Sequence, residues 1–330
     1  GRHRQRIRLR LGVKTRVHET VTVGLRLASG SDDRRSTNQT LDSSFSTKRI
    51  GLDEAYAAFT PQLSSVDKLT LTAGKFTAKK TFFRPSDLLW DSDTTFEGQS
   101  LVVHKKAADT LTVFFNTGLY WVDEISGDDT DALMGLFQPG IKLEVRPFSF
   151  DLGLAFYTFG NVKGTDLFEG GNTTLAAVDL NGDNDTDDPG ERPEVLEYDY
   201  DCLNPALKFG YAWGRYKAGL FCEYVVNINS EPDERDGFIV GASVGSKKIK
   251  NPLTWKFGVN YRRLEADAFM DLFPDSDAYG GATNVQGVEV KGKLAIVKNV
   301  FLDLDYYNMH IIEGDDNTEN LFQMDISCKF

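Results

Sequence analysis

Apolar and polar residues alternate along almost the whole chain. In "DTLTVFFNTGLYW" Leu111, Val113, Phe115 and Leu119 share one face, while Thr112, Asn116 and Gly118 share the other. In "GIKLEVRP" Ile141, Leu143 and Val145 oppose Lys142, Glu144 and Arg146, and in "VFLDLDYYN" Leu302, Leu304 and Tyr306 oppose Asp303 and Asp305. This period of two predicts strands over 2–16, 20–29, 48–60, 67–77, 97–106, 109–121, 136–146, 149–160, 197–212, 214–229, 237–247, 252–264, 285–297, 299–311 and 320–330. Helical spacing is confined to a turn or two in loops. The polar face carries Arg, Lys, Asp and Glu as well as Ser and Thr. That fits either a soluble sandwich with a wet outer face or a membrane barrel with a wet lumen.

The links between strands separate the two. "VHET", "PQLSSVD", "KAAD", "PFS", "WGR", "KKIKNP" and "KN" are short or fairly short. They alternate with longer segments such as "GSDDRRSTNQTLDSSFSTK" and "ADAFMDLFPDSDAYGGATNVQ". A meander that sorts its long loops to one end is a transmembrane barrel, whereas Greek-key crossings mix the lengths. The expected fold is therefore all-β, a single transmembrane antiparallel barrel over 1–330. Within it, 161–196 forms a long acidic external loop.

Fifteen readable strands would leave the first and last running the same way. Bacterial barrels normally hold an even number, and an open edge in lipid strands its backbone polar groups. A sixteenth strand upstream of Gly1, missing from this chain, is the expected repair. Any export signal is expected to be removed or to lie upstream as well. The net charge of −12 argues against nucleic acid. No apolar run is long enough for a transmembrane helix. The three cysteines, Cys202, Cys222 and Cys328, make neither a disulfide framework nor a metal cluster.

The ending "LFQMDISCKF" puts Phe322, Met324, Ile326, Cys328 and Phe330 on one face. It resembles the terminal strand of bacterial outer-membrane proteins. More specifically, "RHRQRIRLRLGVKTRV", "TVTVGLRLASG", "LDEAYAAF", "LTAGKF" and, most distinctively, "LLWDSDTTFEGQSLVV" resemble the bacterial putative porin family. Members are general outer-membrane porins of about sixteen strands, and the likeness covers essentially the whole chain. It implies a bacterial outer-membrane location, contact with lipid and lipopolysaccharide, a homotrimer, and passive diffusion of ions and small hydrophilic solutes. In general porins the third external loop folds inward, which implies an inward-folded constriction loop at 78–96. Phe82, Phe83, Leu88, Leu89 and Trp90 in that segment suit an anchor against the wall.

The opening stretch then acquires a meaning. With Ile7, Leu9, Leu11 and Val13 toward lipid, Arg4, Arg6, Arg8 and Arg10 face the lumen. The reverse register would place arginines in hydrocarbon at about 2–4 kcal/mol each near the midplane. Asp87, Asp91, Asp93 and Glu97 of the third loop are the expected acidic counterpart, and Arg26 is a further lumenal cation. Two readings stay open: opposed rows that create a transverse field, or wall salt bridges. Inward-facing strand positions lean basic, so a mild anion preference is expected.

"DLNGDNDTDDPGE" spaces Asp179, Asn181, Asp183, Asp185 and Asp187 at every second residue, like calcium loops. It lacks their glycine turn, so a Ca2+ ion in the 179–194 loop and a solvated acidic loop remain alternatives. No cofactor is required. His3, His18, His104 and His310 have no nucleophile obviously placed with them, and no G-x-S-x-G segment occurs. Catalysis is not expected. A substrate-specific channel and a structural barrel with a closed lumen are the rival readings.

Overall fold

Fifteen strands hydrogen-bond in chain order into one antiparallel sheet. The computed structural model describes residues 3–30, 33–124, 130–181, 185, 186, 188, 190–229, 231–314 and 317–329. The strands are β1 Arg10–His18, β2 Val21–Ser29, β3 Ile50–Phe59, β4 Lys68–Thr77 and β5 Thr95–Lys106. Next come β6 Leu111–Asp123, β7 Ala132–Val145, β8 Phe148–Gly160, β9 Asp201–Trp213 and β10 Tyr216–Asn227. The last are β11 Asp236–Ser246, β12 Trp255–Leu264, β13 Val285–Val297, β14 Val300–Ile311 and β15 Thr318–Cys328. Links such as 19–20, 146–147, 214–215 and 298–299 lie at one rim, and the longest ones, 161–200 among them, at the other. Both edge strands, β1 and β15, run toward the short-turn rim.

The first strand is shorter than its alternation suggests. β2 ends at Ser29, so the chain before Leu9 has no wall neighbour there. Arg6 and Ile7 pair instead with Thr40 and Gln39 of the loop between β2 and β3.

One face of the sheet is apolar and open: Leu11 is 57% exposed, Val13 64% and Ile326 69%. The opposite face buries Gln138, Glu223, Arg262 and Glu289. Charges inside and aliphatics outside invert a soluble protein, and only a hydrocarbon solvent makes that arrangement favourable. Near the short-turn rim the outer face carries neighbouring aromatics, with Tyr211–Trp213 stacked at 5.6 Å between ring centroids and Tyr216–Trp255 tilted at 6.4 Å. Such rings suit a membrane interface. No helix among the described residues is long and apolar enough to cross a membrane. Here the strands would do so.

The sheet curls so that its edges meet the same loop residue. Asp277 accepts a 2.5 Å hydrogen bond from Gln323 of β15 and lies 3.9 Å from Arg6, just before β1. The concave face thus surrounds the loops that enter it.

Candidate pore constriction

Segment 78–94, between β4 and β5, enters the concave side because it is too apolar for water. Leu88, Leu89 and Trp90 are each 1% exposed. The Trp90 ring lies 4.8 Å from Phe96 of β5 and 5.6 Å from Tyr157 of β8. It also meets a second inward segment, 265–284 between β12 and β13, through Phe273 at 4.9 Å and Phe269 at 5.2 Å. Edge-to-face and tilted pairs of this kind add about 0.5–1.5 kcal/mol each beyond area burial. Together they fill the long-loop half of the concave side beside β5–β8.

Polar contacts carry the first segment across the interior. The Gln138 side chain of β7 accepts from Phe83 N at 2.7 Å and donates to Phe83 O at 2.7 Å. Ser86 Oγ donates to Glu223 of β10 at 2.5 Å. Asp87 accepts from Arg262 of β12 at 2.8 Å and from Lys291 of β13 at 2.9 Å. Asp91 N donates to Phe273 O at 2.7 Å, while Asp91 Oδ2 accepts from Ser276 N at 2.9 Å and Ser276 Oγ at 3.0 Å. Anchors from β7 to β13 make the segment a bar rather than a flap.

Arg262 is the hub. Its guanidinium lies 2.8 Å from Asp87, 3.1 Å from Asp275 and 2.9 Å from Glu289. Lys291 bridges Asp87 and Glu289. Burial alone would raise the Asp87 pKa, but Lys291 and Arg262 hold it below the ordinary carboxylate value. Asp275 is raised, because burial and the Asp87 charge outweigh Arg262 and Lys291. Asp91 is pushed up to about 7, first by burial and then by Asp275, with its backbone hydrogen bonds opposing.

The arginine row meets only part of the acidic set. Arg8 lies 3.0 Å and Arg10 2.7 Å from Asp93, which are direct contacts rather than charges opposed across open space. Arg6 approaches Asp277, and Arg4 is exposed. Arg26 is clamped by Asp53 and Glu54, two buried acids of β3 that alternation alone did not single out. Glu97 is a correction. It stands opposite the buried Phe96 side on β5, is 60% exposed, and pairs with Lys75 of β4 on the outer face at 2.5 Å. Strand β5 begins at Thr95, so its inward positions are even-numbered and Glu97 falls on the wrong side.

The second inward segment also went unnoticed in the sequence. Its signal is "ADAFMDLF", whose Ala268, Phe269, Met270 and Leu272 are buried. Asp267 and Asp271 tie it to the loop between β8 and β9. Asp271 accepts from Glu169 N at 3.0 Å and Gly171 N at 2.6 Å, and Asp267 accepts from Tyr200 OH at 2.9 Å.

A cavity of about 700 Å³ runs past the bar, from Arg35 and Asn38 of the loop between β2 and β3 to Ser246 and Lys247 at the short-turn rim. In cross-strand register Lys256, Lys293, Asp303 and Asp325 step from basic to acidic over four adjacent strands. Lys208, Lys217 and Lys256, which also line it, form no ion pair among the described residues. In the acidic loop Asn181 donates to Asp188 at 2.7 Å, and Glu191 accepts from Leu180 N at 2.7 Å. Asp179 and Asp185 have partners of their own, while Asp183 and Asp187 lie outside the described residues. Phe330 lies outside them too.

Comparison with known proteins supplies a family and a set of fold relatives. The model of a family described as putative porin matches residues 1–192 and 205–330. The outer membrane channel DcaP of Acinetobacter baumannii is 14% identical, covering 98% of this chain and 84% of that one, with a TM-score of 0.51. OprB of Pseudomonas putida, in its high-pH structure, is 11% identical over 99% and 88%, with a TM-score of 0.61. OmpT of Vibrio cholerae, in a trimer form, is 11% identical over 98% and 96%, with a TM-score of 0.51. No curated protein matches the sequence. At these identities the solved structures speak for the fold.

Proposed function

The chain belongs to the putative porin family of the bacterial outer membrane, and on that premise we propose a water-filled diffusion channel for ions and small hydrophilic solutes with mild anion preference. One observation carries the reading: the inner face from β4 to β12 carries lysines without ion-pair partners and only Asp151 unpaired among the described acids lining the cavities there, while Asp305 and Asp325 gather apart on β14 and β15. Lys68, Lys142, Lys208, Lys217 and Lys256 form no ion pair among the described residues. Asp87 and Asp93, the acids nearest the bar, are already occupied. A surplus of fixed positive charge in a narrow low-dielectric passage concentrates anions and excludes cations. The acidic external loops act against it, which keeps the preference mild.

The finer architecture belongs to the same reading. An antiparallel strand between the parallel edges β1 and β15 would close a sixteen-strand barrel. The trimer form of OmpT supports a homotrimer here. Lipid covers the apolar outer face, with lipopolysaccharide at the long-loop rim. The family and fold speak for a channel rather than an enzyme. The closed-lumen alternative has one observation in its favour, the aromatic packing around Trp90. Reversal potentials of the purified protein in planar bilayers, under a potassium chloride gradient, test the proposal. A modest shift toward the chloride equilibrium potential is expected. Clear cation selectivity would refute the anion preference, and silence from inserted, folded protein would favour the closed lumen.

A further inference from the structure

A second cavity, of about 560 Å³, lies between the bar and the wall. The bar contributes Lys79, Lys80 and Arg84, and the wall contributes Lys68, Lys142 and Lys208. None of these six forms an ion pair among the described residues. Arg84 spends one nitrogen on the carbonyls of Trp90, at 2.5 Å, and Asp91, at 3.1 Å, which fixes the guanidinium in place. The acids at the cavity are Asp87, already held by Arg262 and Lys291, and Asp151, which stands between Lys142 and Lys208 in cross-strand register. Six cations therefore share one uncommitted lining carboxylate, with the buried Glu223 behind Ser86.

The cavity also has an apolar side. Phe114 is buried, its ring lies 6.1 Å from Phe83, and Lys142 Nζ sits 5.6 Å from its centroid. Phe114 occupies space that Gly140 leaves free on the neighbouring strand; a Cβ on Gly140 would lie 2.1 Å from the ring. His104, 5.9 Å from Phe114, and Asn116 add to the polar lining, with the hydroxyls of Thr81, Ser86 and Ser92. Deep inside a curled sheet, this concentration of like charge calls for a mobile counter-anion.

We propose that this cavity is a saturable binding site for a phosphate dianion, either free phosphate or a phosphate monoester. The inference rests on the channel reading above and gives it a solute class. The donor chemistry selects the anion. Lysines are compact, rotatable point charges that suit a tetrahedral dianion approached from several directions. A planar carboxylate is held best by an arginine fork, and the one arginine here is outnumbered by five lysines and has one nitrogen tied to backbone carbonyls. The phenylalanine side accommodates the organic part of an ester.

The test uses the full chain, with two readouts. Calorimetry in detergent micelles at low ionic strength titrates inorganic phosphate, glucose 6-phosphate, succinate and glucose in turn. Chloride conductance in planar bilayers is then followed as phosphate is added. Saturable heat with phosphate or glucose 6-phosphate is expected, much weaker heat with succinate, and none with glucose. Conductance should fall to a plateau as the site fills. Equal affinity for phosphate and the ester identifies free phosphate as sufficient, while a tighter ester shows that the phenylalanines contribute; both support the site.

Lys79→Gln with Lys80→Gln, exposed positions on the bar, should weaken phosphate binding by about tenfold, as expected for removing two exposed charges that act through near-water dielectric with partial screening. Lys142→Gln with Lys208→Gln on the wall should do the same, so that a folding defect in one pair leaves the other decisive. Non-saturating conductance, succinate binding as tightly as phosphate, or affinity indifferent to both pairs would overturn the site. An anion-selective channel without saturable phosphate binding would end this inference alone. Phosphate heat from a protein that forms no channel would instead end the diffusion reading.

Discussion

Replacing Arg262 by methionine removes the cation that touches Asp87, Asp275 and Glu289 together, at 2.8, 3.1 and 2.9 Å. Lys291 would still serve Asp87 and Glu289, but Asp275 would keep only neutral donors, the Tyr307 hydroxyl and the Asp277 backbone N–H, both at 3.2 Å. Breaking a buried pair by removing one partner costs about 3–5 kcal/mol. The loss should stay near that range rather than triple, because an abandoned carboxylate escapes its desolvation penalty by taking up a proton. Both inward segments would lose one charged wall contact at once, one through Asp87 and the other through Asp275. Single-channel recording should therefore show larger and noisier steps, and urea unfolding should shift to lower midpoints. Arg262→Lys, which keeps charge but loses the fork, should fall between. Unchanged steps together with an unchanged midpoint would refute the claim that this hub holds the bar.

Trp90→Ala should cost about 3–5 kcal/mol and open the aromatic half of the lumen, read as a lower unfolding midpoint with higher conductance. Asp91 gives a pH signature. Its pKa is raised from 3.8 to about 7, so between those values the folded state holds a proton that the unfolded chain has released. Stability from this group is therefore greatest at low pH and is lost as pH rises toward 7. The seam at Ser276 and Phe273 should be tighter at pH 5 than at pH 8, seen as quieter channels, and Asp91→Asn should flatten that difference. Asp93→Asn frees Arg8 and Arg10 from their shared carboxylate, and reversal potentials should move further toward anion preference.

The wall was legible from alternation because lipid and lumen impose opposite chemistries on successive residues. The range 285–297 coincides with β13, and most other bounds fall within a few residues. The first strand was overextended, since the pattern in "RHRQRIRLR" persists where β2 no longer offers a partner. Glu97 was misplaced because a loop-end residue was read without its strand parity. The apolar residues of 78–96 were visible, and the same signal at Phe269 and Leu272 was overlooked. The Arg262 hub was harder to see. It joins side chains 175 and 27 positions apart in sequence, and only the curl of the sheet brings them together. For the acidic loop, calorimetric titration of calcium against a variant lacking 179–194 separates an ordered ion from a solvated loop.

The central claim is that the concave face is wet and the convex face is in lipid. Lys217→Cys on the inner face and Phe257→Cys on the outer face, each exposed to a membrane-impermeant anionic thiol reagent during bilayer recording, test it most directly. Current through Lys217→Cys channels should drop in steps as the reagent reacts, while Phe257→Cys channels should be unaffected. A response from Phe257→Cys with none from Lys217→Cys would contradict the account.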